Sequence, residues 1–290
     1  MPISYGVRIY RASTSSPRNR FDYIICNALN KGIYRENLHQ WVANQSAAKM
    51  FRYGLLVLSP SCIRTKIPAL LKQASREVKE VLYVDIYQPE YVCVHVHSLY
   101  DLLIDVYSNN SAKIGQLDVR VLLPPTLATP GSSNDEVRHL LKKPEVAFVR
   151  DFFGQEGKST SEVGLFEFKK WMERRFQLSD LDKKLMYLKV EDEENGDNVI
   201  NGACLPDRSQ NNCLQVYNEV VVGGTFDHIH SGHRLLLAVS SLLCDQRISI
   251  GLSEGPLLQR KILKELIEPF QKRKRNLQEF LDDVKPGEPL

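Results

Sequence analysis

Three of the seven histidines, His228, His230 and His233, fall within six residues, directly after Gly223, Gly224 and Thr225. His230 and His233 are three apart, so on a helix both imidazoles share one face. Two glycines let backbone approach a ligand closely. A helix start adds unpaired N–H groups and the positive end of a dipole, which together attract anions. Imidazoles beside such donors suit the binding and polarisation of a polyphosphate. A solvated cap is the bland alternative for any one histidine, and the clustering after a glycine pair weighs against it.

The surrounding residues supply the elements that such a site needs. Val220, Val221 and Val222 form a β-branched run that stops at the glycines, and Leu235, Leu236, Leu237, Ala238 and Val239 form an apolar run suited to a buried helix. The reading is strand, tight loop, helix. A second strand over 247–252 should lie parallel to the first, with its carboxyl end at the same crevice, where open α/β sheets bind ligands. Arg260 and Lys261 lie in the connection beyond it. The run Gln271, Lys272, Arg273, Lys274, Arg275 stands between Phe270 and the apolar Leu277, Phe280 and Leu281, so it reads as the wet side of an amphipathic helix, with Arg273 able to face the site.

The chain has 290 residues, room for one large core or two modest ones. A net charge of +3 gives no argument for nucleic acid. Six scattered cysteines without a C-x-x-C pair read as reduced thiols, with neither a disulfide framework nor a zinc ribbon. No apolar run approaches the ~20 residues of a membrane span. Residues 1–50 are basic, hydroxylated and poor in acids, the composition of a mitochondrial targeting segment or a disordered tail. Cytoplasmic or mitochondrial residence is expected, with peripheral association at the mitochondrial outer membrane through this segment.

Residues 51–190 read as an α/β domain with strands over 53–58, 81–87, 91–97, 117–123, 145–153 and 184–190, and helices over 67–78, 99–107 and 163–176. Strands separated by helix-length segments imply parallel sheet. Cys93, His95 and His97 share one face of the expected third strand, but no further metal ligand accompanies them, and a polar strand face accounts for them. Gly157, Lys158, Ser159 and Thr160 imitate the end of a P-loop whose first glycine would stand where Phe152 is. Asp85, Asp101 and Asp105 are dispersed acids with no histidine or nucleophile at a defined spacing, so no role is assigned to them. Residues 191–213 are acidic, then polar, and read as a flexible linker. Residues 214–290 form the second domain.

Residues 223–233, Gly-Gly-Thr-Phe-Asp-His-Ile-His-Ser-Gly-His, resemble the loop of the H-x-G-H nucleotidylyltransferases. They are most similar to phosphopantetheine adenylyltransferase of the archaeal and animal type. The likeness continues through 248–253, 257–261, 266–270 and 277–281, while residues 51–123 resemble, more weakly, the amino-terminal region of animal bifunctional coenzyme A synthases. The resemblance implies a Rossmann-like α/β domain followed by the first half of an H-x-G-H domain. It implies transfer of adenylate from ATP, accompanied by Mg2+, to 4′-phosphopantetheine. His230 and His233 would bind the triphosphate and stabilise the transition state. Gly223, Gly224, Thr225, Phe226 and Gly232 would form the phosphate loop, with Phe226 and Asp227 shaping its turn. Lys261, or Arg260 beside it, would hold the acceptor phosphate. No resident metal is implied.

Family members continue through further strands and a serine-containing triphosphate loop. The chain is therefore expected to be a fragment or a truncated form, inactive alone, with two strands in its second sheet and an unpaired edge beside 247–252. A cytidylyltransferase of phospholipid synthesis shares H-x-G-H. A non-catalytic targeting or regulatory protein is the reading from another class.

Overall fold

The computed structural model describes residues 6–12, 51–59, 66–87, 96–113, 117–124, 137–150, 162–178, 184–188 and 214–285. The fold is α/β with two parallel sheets. The first sheet contains β2 (Phe51–Leu58), β3 (Val78–Ile86), β4 (Asp118–Val121), β5 (Val146–Arg150) and β6 (Leu185–Leu188) in the order β4-β3-β2-β5-β6. All four ladders are parallel. The order reverses between β2 and β5, as in doubly wound sheets. Helices α1 (Ile67–Glu77), α2 (Val96–Lys113) and α3 (Glu162–Phe176) cover it.

Both faces of this sheet are buried, which is why residues 54–58 are apolar throughout rather than alternating. Leu56 and Leu58 pack with Leu70 and Leu71 of α1 and Leu103 of α2, while Leu55 and Val57 pack with Phe168, Trp171 and Met172 of α3. The expected strands and helices of this unit are present with shifted ends, except one. Residues 88–95, including Cys93 and His95, lie outside the described residues, and Val96 and His97 open α2 instead of closing a strand. Leu99, Leu102, Leu103 and Val106 are buried at helical spacing, and that period prevails over the short alternating run before it. Residues 157–160 and the linker, with Cys204 and Cys213, also lie outside the described residues.

The second sheet is built from β7 (Tyr217–Gly224), β8 (Cys244–Ser253) and an unexpected third strand, β1 (Gly6–Ala12). Its order is β1-β8-β7, so β8 is central. This corrects the expectation of two strands and a bare edge beside 247–252, because β1 pairs in parallel with Arg247 through Ser253. It also corrects the reading of residues 1–50 as only a tail. Ile9 packs against the core and Tyr10 faces outward, the alternation of a half-buried strand.

Helix α4 (Ser231–Leu242) makes the crossover from β7 to β8. A short α5 (Pro256–Gln259) and a 3-10 turn (Lys264–Leu266) lead to α6 (Phe270–Val284). The two sheets share one core. Helix α2 packs on α4, and Leu237, Ala238, Leu277 and Phe280 join the cluster that holds Leu103 and Val106. Asp283 of α6, which is buried, accepts hydrogen bonds from Arg120, from the Tyr83 hydroxyl at 2.9 Å and from the Leu141 N–H at 2.8 Å. Burial raises the Asp283 carboxyl above the ordinary range, against the pull of Arg120. The Lys285 ammonium donates to the carbonyls of Ser241 and Cys244 and is pushed down to about 8 by burial.

Candidate active site

Strand β7 runs out at Gly224, in register with Leu252 of β8, so the chain turns at the carboxyl end of the parallel pair. The turn is closed by Phe226, a non-glycine residue at φ 46° whose ring is 1% exposed. A Cβ on Gly224 would stand 2.9 Å from that ring, whereas one on Gly223 would meet nothing within 4 Å. Only glycine fits at 224 while Phe226 keeps its place. The ring also lies 5.1 Å, centroid to centroid, from that of His233. Phe226 thus supports the turn from the buried side.

His230 is the N-cap of α4, and its Nδ1 accepts the Gly232 N–H at 3.1 Å. This satisfies one of the orphan donors of the first turn. His233 stands one turn on, its ring stacked on that of His230 at 4.0 Å and 29°. The two imidazoles expected to share a face do so. His233 Nδ1 lies 3.3 Å from the carbonyl of His228. A carbonyl only accepts, so Nδ1 carries the hydrogen and Nε2 of the neutral ring keeps a lone pair.

Burial, then the neighbouring His230, lowers His233 to about 4. Burial, then Arg234, lowers His230 as well. Both rings are therefore neutral at pH 7 in the absence of a ligand. An incoming polyanion favours their protonated, donating forms. The arrangement can bind and polarise phosphate oxygens, and the two rings lie at the end of an α-helix beside a glycine turn.

The remaining residues sort by what they touch. Thr225 is half-buried, and its carbonyl accepts from Arg273 at 2.7 Å. Asp227 turns inward: its Oδ1 accepts the Glu268 N–H at 2.6 Å, tying the turn to the entry of α6. His228 is exposed beside Asp227 and Glu268, where no reactive role arises. Arg260 and Lys261 follow α5 and are exposed; their backbone N–H groups turn back to the Leu258 carbonyl, and their side chains make no hydrogen bond or ion pair with any described residue. The structure does not bring their side chains to the histidines. Among the described residues no group of three or more His, Cys, Asp or Glu could hold a metal ion.

Arg273, the one residue of the basic run expected to be able to face the site, turns inward to the carbonyls of Thr225 and Ser253. It is 1% exposed, not on the wet face of α6. A signal was present: position 273 lies three after Phe270 and four before Leu277, on the apolar stripe of its helix.

Residues 221–289 match the family model described as cytidylyltransferase-like. The phosphopantetheine adenylyltransferase of Saccharomyces cerevisiae is 46% identical over 70 residues, which cover 24% of this chain and 23% of the yeast protein. That of Methanopyrus kandleri is 40% identical over 70 residues, covering 24% of this chain and 43% of the archaeal one. That of Pyrococcus furiosus is 39% identical over 66 residues, covering 23% and 41%. No solved structure matches the chain. The matched stretch spans about a quarter of the yeast relative's length and about two-fifths of the archaeal ones, and a cytidylyltransferase-like segment homologous to phosphopantetheine adenylyltransferases is what this chain contains.

Proposed function

We propose that the protein is a nucleotidylyltransferase of coenzyme A synthesis, joining ATP and 4′-phosphopantetheine to give dephospho-coenzyme A and pyrophosphate. The observation that carries this reading is the stacked pair His230 and His233 at the N-terminus of α4, one turn beyond Gly224 and Thr225. Homology to phosphopantetheine adenylyltransferases supports the choice of substrates.

In the reaction an oxygen of the acceptor phosphate attacks the α-phosphorus of ATP. A new P–O bond forms, the bond to the β-phosphate oxygen breaks, and pyrophosphate leaves with Mg2+. Charge grows on the attacking, leaving and non-bridging oxygens, so positioning and donors matter more than a general base. The first-turn N–H groups of α4, Thr225 and the two imidazoles offer such donors. Lys261 or Arg260 would hold the acceptor phosphate, their exposure leaving both able to reach a ligand.

The cytidylyltransferase-like match also favours a second reading, a CTP-dependent enzyme acting on a phosphorylated alcohol. Pyrophosphate release by the full-length protein, measured with ATP or CTP against phosphopantetheine or phosphocholine, separates the two. Preference for ATP with phosphopantetheine supports the proposal, and preference for CTP overturns it.

A further inference from the structure

Arg273 enters α6 at its first turn and is almost wholly removed from water. Its Nε donates to the Glu268 carbonyl at 2.8 Å, and its Nη1 donates to the carbonyls of Thr225 at 2.7 Å and Ser253 at 3.1 Å. Those acceptors belong to three separate segments: the turn after β7, the last residue of β8 and the connection into α6. One guanidinium thus ties together the carboxyl ends of both strands that frame the turn. A second tie, from the Asp227 carboxylate to the Glu268 N–H, closes the same ring of contacts.

The charge of Arg273 is unbalanced. Its acceptors are all carbonyls, which carry partial charges, and none of the described carboxylates pairs with it. Buried charges in folded proteins are ordinarily matched by a counter-charge, because desolvation alone is costly. Here the full positive charge lies behind Thr225, at the end of the sheet where the stacked histidines and the first turn of α4 also favour an anion.

We propose that Arg273 is a positioning residue of the anion site, fixing the turn at 224–226 through the Thr225 carbonyl and supplying a buried charge that a ligand phosphate balances. The counter-charge half of this inference rests on the nucleotide reading above; the hold on the turn does not. Lysine at 273 keeps the charge and can still donate toward Thr225 and Ser253, but has no donor at the position of Nε. Methionine keeps most of the volume and loses both charge and donors.

The test uses the full chain with Arg273→Lys and Arg273→Met, with magnesium pyrophosphate as the probe in calorimetry and amide exchange read over 223–228 and 267–270. In Arg273→Met, exchange over 223–228 should rise and the pyrophosphate Kd should increase about tenfold or more, the scale of one charge-assisted contact. In Arg273→Lys, binding should stay within about threefold of wild type, while exchange rises chiefly over 267–270. A merely structural role would lower the melting temperature of both variants and leave affinity well below that temperature unchanged. Unaltered affinity in folded Arg273→Met overturns the proposal. If that variant does not fold, loss of pyrophosphate binding in folded Arg273→Lys overturns it. Should wild type bind no pyrophosphate, the nucleotide reading and the counter-charge fail together, and exchange over 223–228 still decides whether Arg273 holds the turn.

Discussion

Arg234, the residue after His233, reaches out of its own sheet to Asp118 at the start of β4, with Nε and Oδ1 2.9 Å apart. The contact is an ion pair without hydrogen-bond alignment, since neither atom has a hydrogen-bonding partner. Asp118 is gripped in turn by Arg120 at 2.6 Å, and Arg120 pairs with the buried Asp283 of α6. A line of alternating charges therefore connects the histidine helix, the first sheet and α6. The first sheet acts here as a scaffold for the site, a role its own residues did not announce.

Removing one end of that line should loosen α4. Arg234→Met or Asp118→Asn is expected to cost about 1–3 kcal/mol, between the limits for exposed and buried pairs. The double variant should cost less than the sum, because the same contact is lost twice. Chemical denaturation of the four proteins measures this, and strict additivity would show that the two charges do not act on each other.

The glycine pair divides cleanly. Gly223→Ala meets open space and should leave stability within about 0.5 kcal/mol, as surface changes do. Gly224→Ala drives a methyl into the Phe226 ring at 2.9 Å and should cost about 1–3 kcal/mol, as overpacking does. Thermal melts of both variants check the contrast, and equal effects would mean that Phe226 is not fixed as described.

Strand, turn and helix around 220–239 were legible because a β-branched run, a glycine pair and an apolar run are local signals. That His230 and His233 share a face followed from their spacing, while the stacking of their rings is seen only in the structure. Strand β1 was half legible: Val7 and Ile9 alternate with Arg8 and Tyr10, yet a basic, hydroxyl-rich composition suggested a tail instead. Its partner, β8, lies more than two hundred residues away, and no local pattern reports such pairing. The Arg234–Asp118 and Arg120–Asp283 contacts are hidden for the same reason. Lys272, Lys274 and Arg275 form the expected solvated face, and Arg273 was set apart from them, but the carbonyls that hold it lie on segments distant in the chain and no local pattern names them.

His233 should make both stability and binding depend on pH. Its folded value of about 4 lies below its ordinary value of 6.5, so the unfolded chain binds the proton first as pH falls. Its contribution is therefore complete above about 6.5 and is lost as pH drops from there toward 4. Melting curves between pH 7 and 4.5 should fall more steeply for wild type than for His233→Asn. Binding has the matching sign. Phosphate oxygens need a donor at Nε2, so triphosphate binding takes up a proton and strengthens as pH falls through the same window. Calorimetry in buffers of different ionisation enthalpy, with His233→Asn subtracting the ligand's own titration, reads the uptake; none at all would leave His233 neutral in the complex.

In the full-length protein, His233→Ala should lower turnover about 10²–10³-fold, the loss on removing a donor aimed at developing charge. ATP affinity should change far less. Steady-state kinetics with direct nucleotide binding distinguishes this from an equal loss in both, which would make His233 a plain binding residue.

The N-terminal strand gives the most direct test of the fold. Gly6–Ala12 pairs along its whole length with Arg247 through Ser253 and takes the edge of β8 opposite β7. Without it, the central strand of the second sheet presents a row of unpaired backbone groups, a template for another chain. Deleting residues 1–12 should lower stability by about 2 kcal/mol or more, roughly 4–8 °C in Tm. It should also raise the proportion of associated species in sedimentation velocity, relative to wild type. The same pairing bears on targeting. A presequence cleaved beyond Ala12 would remove a strand of the sheet, so cleavage and an intact second sheet exclude each other. Protein recovered from cells with the second sheet intact is therefore expected to begin before Gly6 by N-terminal sequencing. A mature form starting after Ala12 that melts with wild type and sediments as wild type does would show that β1 is dispensable.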